Sequence, residues 1–446
     1  MRGLGLLQAT SLNVANMIGA GPFITIPLFI ATLGGPHCLI GWVIALVLVI
    51  CDGLVWAELG AALPGSGGSY HFLKEIFGRY RFGQIAPFLF VWQFLISGTL
   101  ETAAGYIGGS QFVGYLFPTL EERLLTWGLP GGLKWVGAAA AVLITIALCR
   151  RIDSLGKLGV FLCSGTMAAV LTIIVAGLAN FDASLLTLPP DAFADPRKFM
   201  FGLGAAMTIA VYDYLGYYNV CHLGDEVRDP SRTIPRAVLI SVVLVACFYL
   251  LINLSIMGVV PWRQAMQSQN VVGQFMEQLY GRRAAVGFTL LILWTILAGL
   301  FAMTLGYSRI LFAAARNGDF FRIFAWLHPT GRYPLVSLAA FGALTAAFCF
   351  VELATVIDAA VAVRIGVQFI GQIAALHVLR TKRPDVPLPF RMKLYPLPSL
   401  LALCGWVFLL ATSKPEVLAA AAAVIGSGCL GFVVWRGWLA LKRSSP

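Results

Sequence analysis

Long apolar runs constrain this chain more than any other feature. Stretches of roughly 18 residues or more follow one another along the whole length, separated by short loops. Each is long enough to cross the hydrocarbon core of a bilayer as a helix, the conformation in which a single segment satisfies its own backbone in lipid. Only 11% of the 446 residues are charged and 59% are hydrophobic, whereas soluble domains carry about 25% charge. The sequence predicts an all-α integral membrane protein forming one transmembrane domain over 1–446. No segment is both polar and long enough to be a separate soluble domain.

Twelve spans are predicted, at about residues 8–33, 38–63, 85–117, 134–150, 156–178, 199–222, 236–260, 285–314, 334–352, 354–378, 396–413 and 416–440. An even number leaves both termini on one side. With the termini in the cytoplasm, Lys and Arg divide 22 inside to 8 outside, Arg364 lying within a span. That asymmetry predicts a multi-pass protein of the cytoplasmic (inner or plasma) membrane with both termini inside. It also accounts for the net charge of +11 as loop clusters, which excludes a nucleic-acid surface. Cysteines such as Cys51, Cys163, Cys247 and Cys349 fall in apolar runs without CxxC or Cys/His spacing, so they predict small buried hydrophobes and no metal site. After Arg2 the first apolar run is too long for a signal-peptide core, and the first helix is expected to stay in the mature protein.

Two spans are irregular. The first contains MIGAGPFITIP (17–27), with two glycines and two prolines in eleven residues, and the sixth contains VYDYLGYYN (211–219), with Asp213 and Gly216 at mid-membrane. Glycine and proline are the poorest helix residues. Unwinding a helix in lipid orphans backbone groups at several kcal/mol each unless protein, water or ligand satisfies them. A break is therefore expected to line a cavity. Pro22 suits the first position of a new half-helix, and the amides around Gly19, Ala20 and Gly21 then form a site for a carboxylate. A small-residue packing patch is the alternative for Gly-Ala-Gly alone. The basic, proline-punctuated connector RTKRPDVPLPFRMKLYPLP (380–398) divides ten helices from two. Many transporters are inverted repeats of five helices, with the first helix of each broken.

Residues 13–27, NVANMIGAGPFITIP, resemble the first-helix motif of the amino acid–polyamine–organocation permeases. AELGAALPGSGGSYHFLKEIFG (57–78), GDEVRDPSRTIPRAV (224–238), SRILFAAARNGDFF (308–321) and LRTKRPDVPLPFRMKLYP (379–396) resemble later segments of the same family, in order. The resemblance implies a LeuT-like fold: a five-plus-five inverted repeat (8–178 and 199–378), helices 1 and 6 broken at mid-membrane, and two extra helices (394–446). It implies secondary-active, alternating-access transport of amino acids or related amines. Carried over by motif, Ile18, Gly19, Ala20 and Gly21 meet the substrate carboxylate, and Val211, Tyr212 and Asp213 present carbonyls to its ammonium. Asn16 caps freed backbone, and Tyr214, Gly216, Tyr217 and Tyr218 lie where the family covers its substrate. The sequence departs from relatives that carry a lysine in helix five, having Ser164, Gly165 and Thr166 there.

Intramembrane charges are costly and are functional candidates by default. Glu101, Asp213 and Arg364 meet that description, with Thr102 and Met303 beside them as candidate gating or coupling positions. Arg364 is equally explained as the structural counter-ion of Glu101 or Asp213. Asp52 and Glu58 are expected to cap the loop PGSGGSY (64–70), which lacks the GxxxxGK[ST] spacing of a phosphate loop. No cofactor and no obligatory protein partner are predicted. The partners expected are an amino acid substrate and the lipid bilayer. Three couplings stay open: protons through Glu101 or Asp213, sodium through oxygens of Ser164, Thr166 and Thr304, and exchange. A polyamine carrier and a non-transporting amino acid sensor are the competing readings. An enzyme is excluded by the lack of a catalytic constellation on any shared membrane face.

Overall fold

The computed structural model describes residues 4–80, 83–149, 155–329, 331 and 333–444, with side chains for all of these but 155–164 and 438–444. Ser164, a sodium-ligand candidate, thus lies outside the described side chains. Helices dominate: α1 (Leu6–Met17), α2 (Gly21–Ile24), α3 (Ile26–Leu33), α4 (Leu39–Ala62), α5 (Ser69–Phe77), α6 (Ile85–Leu116), α7 (Leu120–Thr126), α8 (Lys134–Leu148), α9 (Leu155–Ala179), α10 (Pro196–Tyr214), α11 (Pro230–Met257), α12 (Trp262–Ala265), α13 (Val271–Arg316), α14 (Leu335–Phe348), α15 (Leu353–Arg364), α16 (Gly371–Lys382), α17 (Leu397–Thr412) and α18 (Pro415–Ser444). Among the described residues there is no β-strand, only isolated bridges at Leu4 with Val227 and Ser66 with Leu223.

Each apolar run of the sequence has a helical counterpart. Six helices are long and apolar enough to cross a membrane unaided, and the pair Leu6–Ile24 and Ile26–Leu33, bent by 65°, forms a seventh candidate. Ends follow local chemistry. Asp195 opens α10 by accepting the amides of Arg197 and Lys198 at 2.9 and 3.1 Å, as an N-cap should. Gly34, at φ 70°, closes α3 in the left-handed conformation that glycine adopts freely.

Helix α6 runs through the centre of the bundle, packed against α13, α15 and α18, while α4 packs against α10, α11 and α17. Small residues let the neighbours approach. A Cβ at Gly105 would stand 2.6 Å from Leu300, and one at Gly108 would overlap Ile24, so α13 and the segment after the first break lie directly on the α6 backbone.

Asp52 and Glu58 do not cap the 64–70 loop. Both are fully buried, and a buried carboxylate takes the strongest donors in reach. Asp52 accepts from Tyr217 Oη at 2.5 Å and Trp406 Nε1 at 3.0 Å. Glu58 accepts both forks of Arg380, at 2.6 and 2.7 Å, and the Met392 amide at 2.8 Å, tying α4 to α16 and to the connector that follows it. The loop is held instead by Ser66 donating to Asp225 at 2.6 Å and by the Gly67 amide donating to the His222 carbonyl at 3.0 Å.

Candidate functional site

The first break follows Met17. The Ile18 amide donates to the Val14 carbonyl at 2.8 Å and the Gly19 amide to the Met17 carbonyl at 2.9 Å. The amides of Ala20 and Gly21 make no hydrogen bond among the described residues. Helix α2 then lasts a single turn, with Pro22 its second residue and not its first. A one-turn helix accumulates little dipole, so the expected positive half-helix end reduces here to two open amides.

The second break follows Tyr214. Leu215 turns out of the helix (ψ 133°), and Gly216 adopts φ 109°, a conformation that strains any side chain. A Cβ there would also collide with Asn16. The chain then passes through a 3₁₀ turn at Asn219–His222.

Side chains from elsewhere satisfy what the breaks expose. Tyr249 of α11 lies between them, its hydroxyl donating to the Met17 carbonyl at 2.7 Å with the Asp213 carbonyl sharing that proton at 3.1 Å. Asn13 of α1 donates to the Tyr217 carbonyl at 2.6 Å and accepts the Val220 amide at 2.8 Å. The capping expected of Asn16 is therefore done by Asn13, one turn earlier, whose side chain faces the second break. Tyr249→Phe keeps the shape but leaves the buried Asp213 carbonyl without its donor, while the Met17 carbonyl keeps the Gly19 amide. A loss of about 1–3 kcal/mol is expected in thermal unfolding, with helix content retained by circular dichroism.

Asp213, 2% exposed, joins the two breaks directly. Its Oδ2 accepts from Thr25 Oγ1 at 2.7 Å, and the same hydroxyl lies 2.9 Å from the Gly21 carbonyl. Its Oδ1 has no partner among the described residues. On the opposite wall Glu101 of α6 receives Arg364 Nη2 at 2.5 Å and Tyr307 Oη at 3.1 Å, while its backbone carbonyl accepts Tyr212 Oη at 3.2 Å. Arg364, with no exposed surface, also donates to Ser97 at 3.1 Å. It ends α15 immediately before a π-helical turn at Ile365–Ile370, a distortion common at functional positions.

Between these walls lies a cavity of about 30 Å³, room for on the order of two waters. Of the residues predicted from sequence, Asn16, Gly19, Ala20, Gly21, Glu101, Tyr212, Asp213 and Met303 line it. Ile18, Thr102, Val211, Tyr214, Gly216 and Arg364 stand behind it; Thr102 Oγ1, for example, is turned to its own helix at Gly98. Met17, Gly105, Leu215, Ile296, Gly299 and Leu300 also line it and were not foreseen. Neither were Asn13, Thr25, Tyr249 and Tyr307. Their signal was a lone polar residue inside an apolar run, the pattern that marked Glu101.

The sequence profile of the amino acid permeases matches residues 4–435. This chain belongs to that family. The permease is 25% identical to the serine/threonine exchanger SteT of Bacillus subtilis over 99% of its own length and 98% of the exchanger's. It is 27% identical to the human large neutral amino acids transporter small subunit 2, over 95% of this chain and 78% of that one. To the human cystine/glutamate transporter it is 26% identical, over 88% and 77% of the two chains. Amino acid transport across a membrane, by exchange or symport, is the activity these likenesses support.

Proposed function

We propose that the permease exchanges neutral amino acids across the cytoplasmic membrane by alternating access, its substrate lying between the two breaks. One observation carries this reading: both helix breaks line one cavity, where the amides of Ala20 and Gly21 and the neighbouring Asp213 Oδ1 have no partner among the described residues. Ala20 and Gly21 take the substrate carboxylate, and the second break takes its ammonium. Neutral substrates fit because Arg364 and Glu101 cancel each other, while Ile296, Leu300 and Met303 supply an apolar wall. The chain is a five-plus-five repeat (8–178 and 199–378) with two added helices (394–446) and cytoplasmic termini. The cavity as it stands is too small for an amino acid, so binding requires the walls to part.

A polyamine carrier needs two free carboxylates, and Glu101 is occupied by Arg364. Exchange is favoured over symport by the full-length similarity to an exchanger. The test is uptake of labelled serine, alanine, leucine, arginine and putrescine by proteoliposomes containing this chain alone, with and without internal amino acid, sodium or a pH gradient. Neutral amino acid uptake stimulated several-fold by internal neutral amino acid is expected. Uptake driven only by an ion gradient would replace exchange with symport, and putrescine as the preferred substrate would overturn the neutral class.

A further inference from the structure

The geometry points to the side chain of Asp213, and not the carbonyls around it, as the group that receives the substrate ammonium. This rests on the two-break reading above. Of the three carbonyls that resemblance offers for the amine, Val211 is not among the residues lining the cavity, and the carbonyl of Tyr212 already accepts the Leu215 amide at 3.1 Å. That of Asp213 accepts Tyr249 Oη at 3.1 Å. The side-chain oxygen that the second break brings to the cavity lining without a partner among the described residues is Asp213 Oδ1, on a residue almost wholly buried. Thr25 holds the other oxygen at 2.7 Å, fixing where Oδ1 stands. The oxygen lies so close to the first break that a Cβ on Gly21 would overlap it.

Charge accounting points the same way. Glu101 and Asp213 are the carboxylates on the cavity wall, and Glu101 is neutralised by Arg364 at 2.5 Å. Among the described residues no lysine or arginine side chain lines the cavity, so Asp213 in its ionised form has no counter-ion there until a cationic group enters. An isolated buried charge is far costlier than an unpaired neutral amide. A ligand lacking the ammonium leaves that charge uncompensated, while a ligand lacking the carboxylate leaves only the neutral amides of Ala20 and Gly21 unpaired. The site therefore selects for the amine more strongly than for the acid, and hydroxy acids are its worst near-substrates.

The experiment measures binding of two isosteric series to purified full-length protein at one pH and salt. One series is alanine, lactate and ethylamine; the other is leucine, 2-hydroxyisocaproate and isoamylamine. For whichever amino acid binds, the hydroxy acid is expected to bind roughly a hundredfold or more weakly and the amine on the order of tenfold more weakly, from the relative worth of charged and neutral hydrogen bonds. In Asp213→Asn the amino acid should lose at least roughly tenfold while the hydroxy acid does not, so the gap between them collapses. Thr25→Val, which frees the carboxylate to swing, should reduce amino acid affinity by a smaller factor in the same direction. If the gap persists unchanged in Asp213→Asn, the assignment is wrong; that is the result expected of an Asp213 that carries a proton, which Asn imitates. If the native protein binds hydroxy acid and amino acid alike, it is wrong without reference to any variant. Binding of neither amino acid removes the transport reading and this assignment together.

Discussion

Gly21→Ala should cut amino acid uptake by roughly tenfold or more, while Gly19→Ala two residues earlier should leave it within about twofold. Helix propensity alone argues the opposite, since alanine is favoured over glycine by up to about 1 kcal/mol at a helical position such as Gly21. Space decides. A Cβ at Gly19 has nothing nearer than the Asn16 carbonyl at 3.8 Å, whereas a Cβ at Gly21 overlaps Asp213 Oδ1. Relieving that overlap moves the carboxylate off Thr25, at a cost of about 1.5–3 kcal/mol for a hydrogen bond to a charged group, and shifts the oxygen that faces the cavity. Initial uptake rates in proteoliposomes, normalised to protein inserted, check this. Unchanged uptake in Gly21→Ala would overturn the close approach of Asp213 to the first break as a requirement for transport.

The apolar runs made the helices legible because bilayer thickness fixes their length and leaves the backbone no alternative. The breaks were legible too, because glycine and proline have few reasons to stand in lipid. What lay out of reach was how the exposed backbone is satisfied. Asn13 and Asn16 are one turn apart in the same apolar context, and only the packed position of the second break shows that Asn13 reaches Tyr217 and Val220 while Asn16 faces the cavity. Likewise Tyr249 is one aromatic among many until both breaks are placed beside it. Asp52 and Glu58 were misassigned for the same reason: their donors, Trp406 and Arg380, come from more than 300 positions away.

Arg364→Met should lower thermal stability by about 3–5 kcal/mol, the usual cost of breaking a buried ion pair by removing one partner. The double variant Glu101→Gln with Arg364→Met should regain most of that loss. The asymmetry follows from the site. Glu101 is 7% exposed and its carboxylate has one cationic partner, Arg364, so the single change leaves an uncompensated charge. In the double variant the side chain at position 101 is a neutral amide that still offers an oxygen to Tyr307, 3.1 Å from the present carboxylate, while Ser97 keeps Gln93 at 3.1 Å. The dispersion contact of Arg364 with the Phe94 ring, 5.7 Å away, is partly retained by methionine. Unfolding of all four proteins in detergent closes the cycle and gives the coupling directly. Uptake by the same set then separates the two explanations of this pair: a double variant restored in both stability and transport makes Arg364 a structural counter-ion, whereas one restored in stability but silent in transport makes the charge pair part of the transport cycle.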